Sequence, residues 1–91
     1  MAIVSISVKS ASTTYSTLGV SCNAGQHMYV FGDTTFRLRK AGGGASDWIP
    51  VAGTANPAPF YLGTNVGASE YEVGTGSGSA DVKIIISDHS L

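Results

Sequence analysis

The sequence predicts an all-β fold: a small antiparallel β-sandwich, or barrel-like sandwich, of seven to eight short strands. Three observations lead there. Apolar and polar residues alternate with a period of two along several stretches, the pattern of strands with one buried face. Clusters of Gly, Asn, Asp, Pro and Ser interrupt those stretches at intervals of roughly 8–12 residues, the rhythm of a sandwich or barrel. No stretch carries the apolar period of an amphipathic helix, about 3.6 residues.

Taken in order, Val4, Ile6 and Val8 alternate with Ser5, Ser7 and Lys9 and mark the first strand. A polar run from Ser10 to Thr14 leads to a second strand through Tyr15, Leu18, Val20 and Cys22, closed by an Asn23-Ala24-Gly25 turn. His27 to Phe31 is a dense apolar strand stopped by Gly32-Asp33. Thr34 to Arg39 alternates again, with Phe36 and Leu38 on one face and Thr35, Arg37 and Arg39 on the other. The Gly42–Ser46 loop is flexible by composition. Trp48 to Val51 follows, and Pro50, which cannot donate to a ladder, predicts an edge position or a bulge. Residues 52–59 form a long connection with two prolines, Phe60 to Leu62 a short strand and Thr64 to Ser69 a loop. Glu70–Val73 and Val82–Ile86 are expected to pair across the Gly74–Ser79 turn as a closing hairpin.

This reading nominates a core of Val4, Ile6, Val8, Leu18, Val20, Met28, Val30, Phe36, Leu38, Trp48, Val73, Val82, Ile84 and Ile86, with Trp48 plugging one end of the sandwich. The last strand sets Val82, Ile84 and Ile86 against Lys83, Ile85 and Ser87. Ile85 therefore faces away from the core, and Tyr29, Phe31 and Tyr61 are candidates to do the same. So much apolar surface on a wet face calls for a covering partner or for a one-residue shift of register.

Ninety-one residues make a single domain spanning residues 1–91, with residues 1–9 serving as a pairing strand or an arm. Charged residues are only 12% of the chain, against about 25% in an average domain. Twelve Gly, twelve Ser and eight Thr stand in their place, while 43% of residues are hydrophobic and the net charge is −1. That balance describes a folded chain whose surface tolerates close contact with other protein, since little charge repulsion keeps copies apart. It argues against a nucleic-acid partner, which requires a concentrated basic face; Arg37, Arg39 and Lys40 are the one basic cluster and read as a solvated or edge-guarding face. No apolar run is long enough to span a membrane, and the serine-interleaved start reads as a chain without a secretory leader, made in a cytoplasm.

Catalytic and metal patterns are not found. Cys22 is the single cysteine and reads as a small buried hydrophobe on a strand. His27 and His89 are far apart and no metal-ligand spacing occurs, so no metal and no cofactor is expected. Gly74-Thr75-Gly76-Ser77-Gly78 lacks the third glycine and the helix of a dinucleotide loop and reads as a turn. Glu70 and Glu72 share one strand face about 7 Å apart, a spacing two hydrolytic carboxylates can use, yet no nucleophile, base and orienting group stand together. The expectation is a non-enzyme. Trp48 with Tyr15, Tyr29, Tyr61 and Tyr71 offers a second reading, an aromatic platform for carbohydrate.

Phe36-Arg37-Leu38-Arg39-Lys40, the Gly42–Gly44 loop, Asp47-Trp48-Ile49-Pro50-Val51 and the run from Glu70 to Ile84 resemble the small all-β virion proteins of tailed bacteriophages, of the head decoration (cement) or appendage type. Strand, Gly/Asp loop, Trp-x-x-Val, then Tyr-x-Val and a Gly-rich turn into a terminal strand carry the resemblance, over somewhat more than half the chain. It implies a structural role in the virion, a homo-oligomer with the trimer favoured, and the major capsid protein or another virion protein as partner. It brings no catalytic residues. Partner contact is expected at Ile3, Val4, Ser5, Ile85, Trp48 and Tyr61, with the Gly42–Ser46 and Ala52–Pro59 loops next. The alternative is a carbohydrate- or receptor-binding module of a phage tail or fibre.

Overall fold

A computed structural model describes residues 3–44, 46–51 and 59–89. Eight strands follow one another: β1 (Ile3–Ala11), β2 (Ser16–Thr17), β3 (His27–Gly32), β4 (Phe36–Lys40), β5 (Ile49–Val51), β6 (Phe60–Thr64), β7 (Tyr71–Gly74) and β8 (Ala80–Ser87). They form two four-stranded antiparallel sheets, ordered β1-β8-β3-β6 and β2-β7-β4-β5. The chain is an all-β sandwich, and this strand order is that of the eight-stranded jelly roll. Among the described residues no helix is long and apolar enough to cross a membrane.

Of the seven connections only β4 to β5 stays within one sheet. The expected hairpin of the last two strands is therefore not formed: β7 pairs with β2 and β4, β8 with β1 and β3, and residues 75–79 carry the chain across the core. Layers about 10 Å apart are easily bridged by such a segment, so a glycine-rich turn between two alternating stretches does not specify that they pair. A sharper crossing follows β3. There a Cβ on Gly32 would come within 2.6 Å of the Thr34 carbonyl and 2.7 Å of the Phe36 ring, so only glycine fits. Asp33 ties this corner to β8: its backbone N–H donates to the Asp81 carbonyl and its carboxylate accepts from the Asp81 N–H.

The core holds Leu18, Met28, Val30, Phe36, Leu38, Val73, Val82, Ile84 and Ile86 as the alternation predicts, joined by Ala11, Cys22, Val51, Val66 and Ala80. Val20 packs against it part-buried. Four expected core residues are elsewhere. Trp48 precedes β5 and is half-buried at the sandwich surface. Val4, Ile6 and Val8 are exposed at 52%, 59% and 62%. The register explains this: Ile6 lies opposite Ile85, whereas Ser5 and Ser7 lie opposite the core residues Ile86 and Ile84. The serine face of β1 thus points inward and the apolar face outward. Alternation defines two faces but not which one meets the core. The inner side of β1 tolerates serines because β2, at the end of the opposite sheet, is only two residues long and covers little of it.

The second strand is also shorter than expected. Gly19, in the left-handed region with φ 77°, ends it. Leu18 and Cys22 still reach the core, held by isolated bonds from Leu18 N to Tyr71 O and from Cys22 N to Val66 O. Pro50 sits in β5, the sheet edge its missing donor requires. The connection expected at residues 52–59 lies, apart from Pro59, outside the described residues, as do Met1, Ala2 and Ala45.

Candidate functional site

The outer face of the first sheet is built in rows by the ladder register. Ile6, Ile85, Tyr29 and Tyr61 form one row across all four strands. Val8, Lys83 and Phe31 form the next, with the Lys83 ammonium 5.8 Å from the Phe31 ring centre. Ile3, Ser87, His27 and Thr64 form a third.

Two irregularities place the outer members of these rows. On β6 the register shifts at Leu62, so Tyr61 rather than Leu62 comes beside Tyr29, while Leu62 packs against the core. The Tyr29 and Tyr61 rings are 5.0 Å apart, and the Tyr61 hydroxyl lies 2.8 Å from His27 Nδ1. On β1 a shift between Ile3 and Ser5 leaves Val4 as the extra residue, so Ile3 and Ile6 both face outward. Ile85 and Tyr29 are only 8% and 6% exposed, yet they stand outside the core cluster, covered by their flanking neighbours on this face. The result is an apolar sheet face with Ile3, Val4, Ile6, Val8 and Tyr61 in solvent, an arrangement soluble sandwiches ordinarily avoid on their wet side.

The outer face of the second sheet has different chemistry. Arg37 and Arg39 project from β4, and each guanidinium lies 3.9 Å over an aromatic ring, Arg37 on Trp48 and Arg39 on Tyr15. Two glycines make room. A Cβ on Gly74 would meet the Tyr15 ring at 2.9 Å, and one on Gly76 would lie 2.8 Å from Arg37 Nη2. Arg39 is ion-paired to Glu72 at 2.9 Å and donates to the Gly44 carbonyl. The buried Tyr15 hydroxyl has no hydrogen-bond partner among the described residues. The basic cluster expected to be solvated is therefore a packed layer of cations and rings. Lys40 stands apart from it, on the face of β4 shared with Phe36 and Leu38, 5.5 Å from the Tyr71 ring that packs against the core.

A third feature is a cleft of about 560 Å³ between the edge strands β5 and β6, lined by Ile49, Phe60, Leu62, Leu38 and Tyr71. The segment joining its two walls, residues 52–58, lies outside the described residues.

The six expected contact residues are thus dispersed. Ile3, Val4, Ile85 and Tyr61 share the first outer face, with Ile85 covered by its neighbours. Ser5 faces inward, and Trp48 belongs to the other sheet's surface, though it and Tyr61 both line the cleft between β5 and β6. Alternation alone places Ile6 and Val8, the most exposed contributors to the apolar face, in the core. The signal that reassigns them is their pairing with Ile85 and Lys83, which alternation within one strand does not contain. Residues 3–9 are paired with β8 inside the sheet. Glu72 is engaged by Arg39, and Glu70 precedes β7, so the two carboxylates do not form a matched pair on one strand. Among the described residues no group of three or more His, Cys, Asp or Glu is placed to hold a metal ion. No family model, curated protein or solved structure matches this chain.

Proposed function

We propose that this chain is a structural protein of a phage virion, a head decoration protein that seats the outer face of its first sheet on protein: neighbouring copies in a closed oligomer, with the trimer as the expected form, and the major capsid protein beneath. The observation that carries the reading is the inverted first strand, which sets Ile6 and Val8 in solvent beside Lys83 and the covered Ile85 while serines face inward. An apolar sheet face of this kind is maintained in a low-charge chain when another surface covers it. The jelly roll recurs in viral capsid domains and in lectins, which supports the reading at the level of fold analogy alone. A protein that binds only the assembled shell stabilises that shell by mass action, with no catalytic group required.

The test mixes the purified chain with expanded phage heads stripped of their decoration layer and follows co-sedimentation and the heat resistance of the heads. The wild-type chain is expected to bind and protect, and an Ile6→Lys, Val8→Lys variant with an unchanged thermal melt is expected to do neither. Wild-type protein that leaves the heads unbound and unprotected overturns the reading.

A further inference from the structure

The second outer face carries an observation that the decoration role does not use. Arg37 and Arg39 lie two residues apart on the same face of β4, and both are stacked on a ring, but their hydrogen bonding differs. Across the ladder Arg39 faces Glu72, which supplies its carboxylate. Arg37 faces Gly74 on one side and Pro50 on the other, two residues with no side-chain acceptor. No ion pair or hydrogen bond involves its guanidinium among the described residues. Asp47, from the neighbouring loop, is turned to the Gly44 N–H.

The unpaired guanidinium is nevertheless held in place. Trp48 stacks on it at 3.9 Å, and the Gly76 backbone packs against it from another side, where an added Cβ would lie 2.8 Å from Nη2. It lines a pocket of about 360 Å³ together with Trp48, Thr34, Thr35, Ser77 and Ser79. Thr75, also at this pocket, is engaged internally, its hydroxyl donating to the Gly78 carbonyl. The volume falls within the usual range for small-molecule sites, about 300–1,000 Å³.

We infer that this pocket binds a sugar bearing a carboxylate, a uronic or sialic acid residue of a glycan. A guanidinium whose plane is fixed presents parallel N–H donors that match a carboxylate in bidentate fashion. The missing partner of Arg37 is thus the group that Glu72 provides to Arg39. Threonine and serine hydroxyls both donate and accept, which suits the hydroxyls of a pyranose ring. One cation among neutral hydroxyls, on a chain of net charge −1, suits a singly charged ligand and not a polyphosphate or a sulfated polymer.

Trp48 is the only tryptophan and lines both this pocket and the cleft between β5 and β6, so its emission reports binding and the Arg37 variant assigns the change to this pocket. The full chain is titrated with N-acetylneuraminic acid, glucuronic acid, the neutral sugars lactose and glucose, and acetate and inorganic sulfate. Acidic sugars are expected to change the emission saturably and to bind about tenfold or more tightly than neutral sugars, the margin of one charge-assisted hydrogen bond, and more tightly than acetate, which lacks the ring hydroxyls. Arg37→Gln, with its thermal melt recorded alongside, is expected to remove that preference, and Ile6→Lys to leave it intact, since Ile6 lies on the other sheet. Failure of any acidic sugar to shift the emission overturns the inference. So does an equal response to neutral sugars, or a response to sulfate or acetate as strong as to the acidic sugars. These outcomes are read on wild-type protein and stand whether or not the Arg37 variant folds, and they leave head binding untouched.

Discussion

Ile6 lies directly opposite Ile85 across the β1–β8 ladder, on the side of the sheet that faces away from the core. Ile84, one residue earlier, faces inward and is 1% exposed. Neighbouring isoleucines of one strand therefore serve different surfaces, and their substitutions should separate stability from association.

Ile84→Ala removes methyl groups from a closed core and is expected to cost about 2–5 kcal/mol. Ile6→Lys loses only a cross-strand contact at a wet surface and is expected to cost about 1 kcal/mol or less. Urea denaturation measures both. Light scattering on the folded Ile6→Lys protein is expected to report a smaller mass than the wild-type chain if the proposed association uses this face, because the new charge lands there.

Gly74 and Tyr15 form a second pair with a defined geometry, the ring lying flat against the glycine. Gly74→Ala is expected to destabilise by about 1–3 kcal/mol through overpacking. Tyr15→Phe removes a buried hydroxyl that has no partner among the described residues and is expected to be neutral or to stabilise by about 1 kcal/mol. Thermal melts of the two variants should move in opposite directions or leave Tyr15→Phe unmoved. A large loss in Tyr15→Phe would show that the hydroxyl has a partner in solution.

Cys22 accepts a hydrogen bond at Sγ from the Val66 N–H, 3.3 Å away, and its Sγ is 3.8 Å from the Gln26 carbonyl. Cys22→Ala leaves the Val66 N–H buried and unsatisfied, at a cost of about 1–3 kcal/mol. Cys22→Ser keeps an acceptor and a donor at that place and is expected to lose less. Denaturation midpoints of the two variants rank them. The native thiol is expected to react with a thiol reagent only as fast as the chain opens, which its burial dictates.

The Arg39–Glu72 pair is mostly but not fully buried, with side chains 16% and 19% exposed. Such a pair lies between an exposed one, about 1 kcal/mol or less, and a buried one, about 3–5 kcal/mol when one partner is removed, and about 1–3 kcal/mol is expected. Glu72→Gln is expected to lose that amount at low salt and to differ less from the wild type as salt rises, when melts are compared across ionic strength.

The period of two, the turn clusters and Pro50 were enough to establish an all-β sandwich, to place seven of the eight strands within a few residues and to nominate fourteen core residues, nine of which lie in the buried cluster. Each of these is local information carried by neighbouring side chains. The second strand, found at Ser16–Thr17, is shorter than the stretch through Cys22 because Gly19 adopts a left-handed conformation that composition does not announce. The Arg37–Trp48 pocket escaped because its residues come from three separate segments of chain that meet only after the strands pair.

What the sequence by itself determined is the class of fold, the strand faces as alternating sets and the shortage of charge. What only the tertiary structure decided is which set on β1 meets the core, which strands become neighbours and which arginine finds a carboxylate. Alternation is unchanged when a strand is turned over, and a six-residue turn can close a hairpin or cross a layer. Those choices are settled by long-range pairing: β8 between β1 and β3 turns Ile6 outward, and β7 beside β4 gives Glu72 to Arg39 and Gly74 to Arg37.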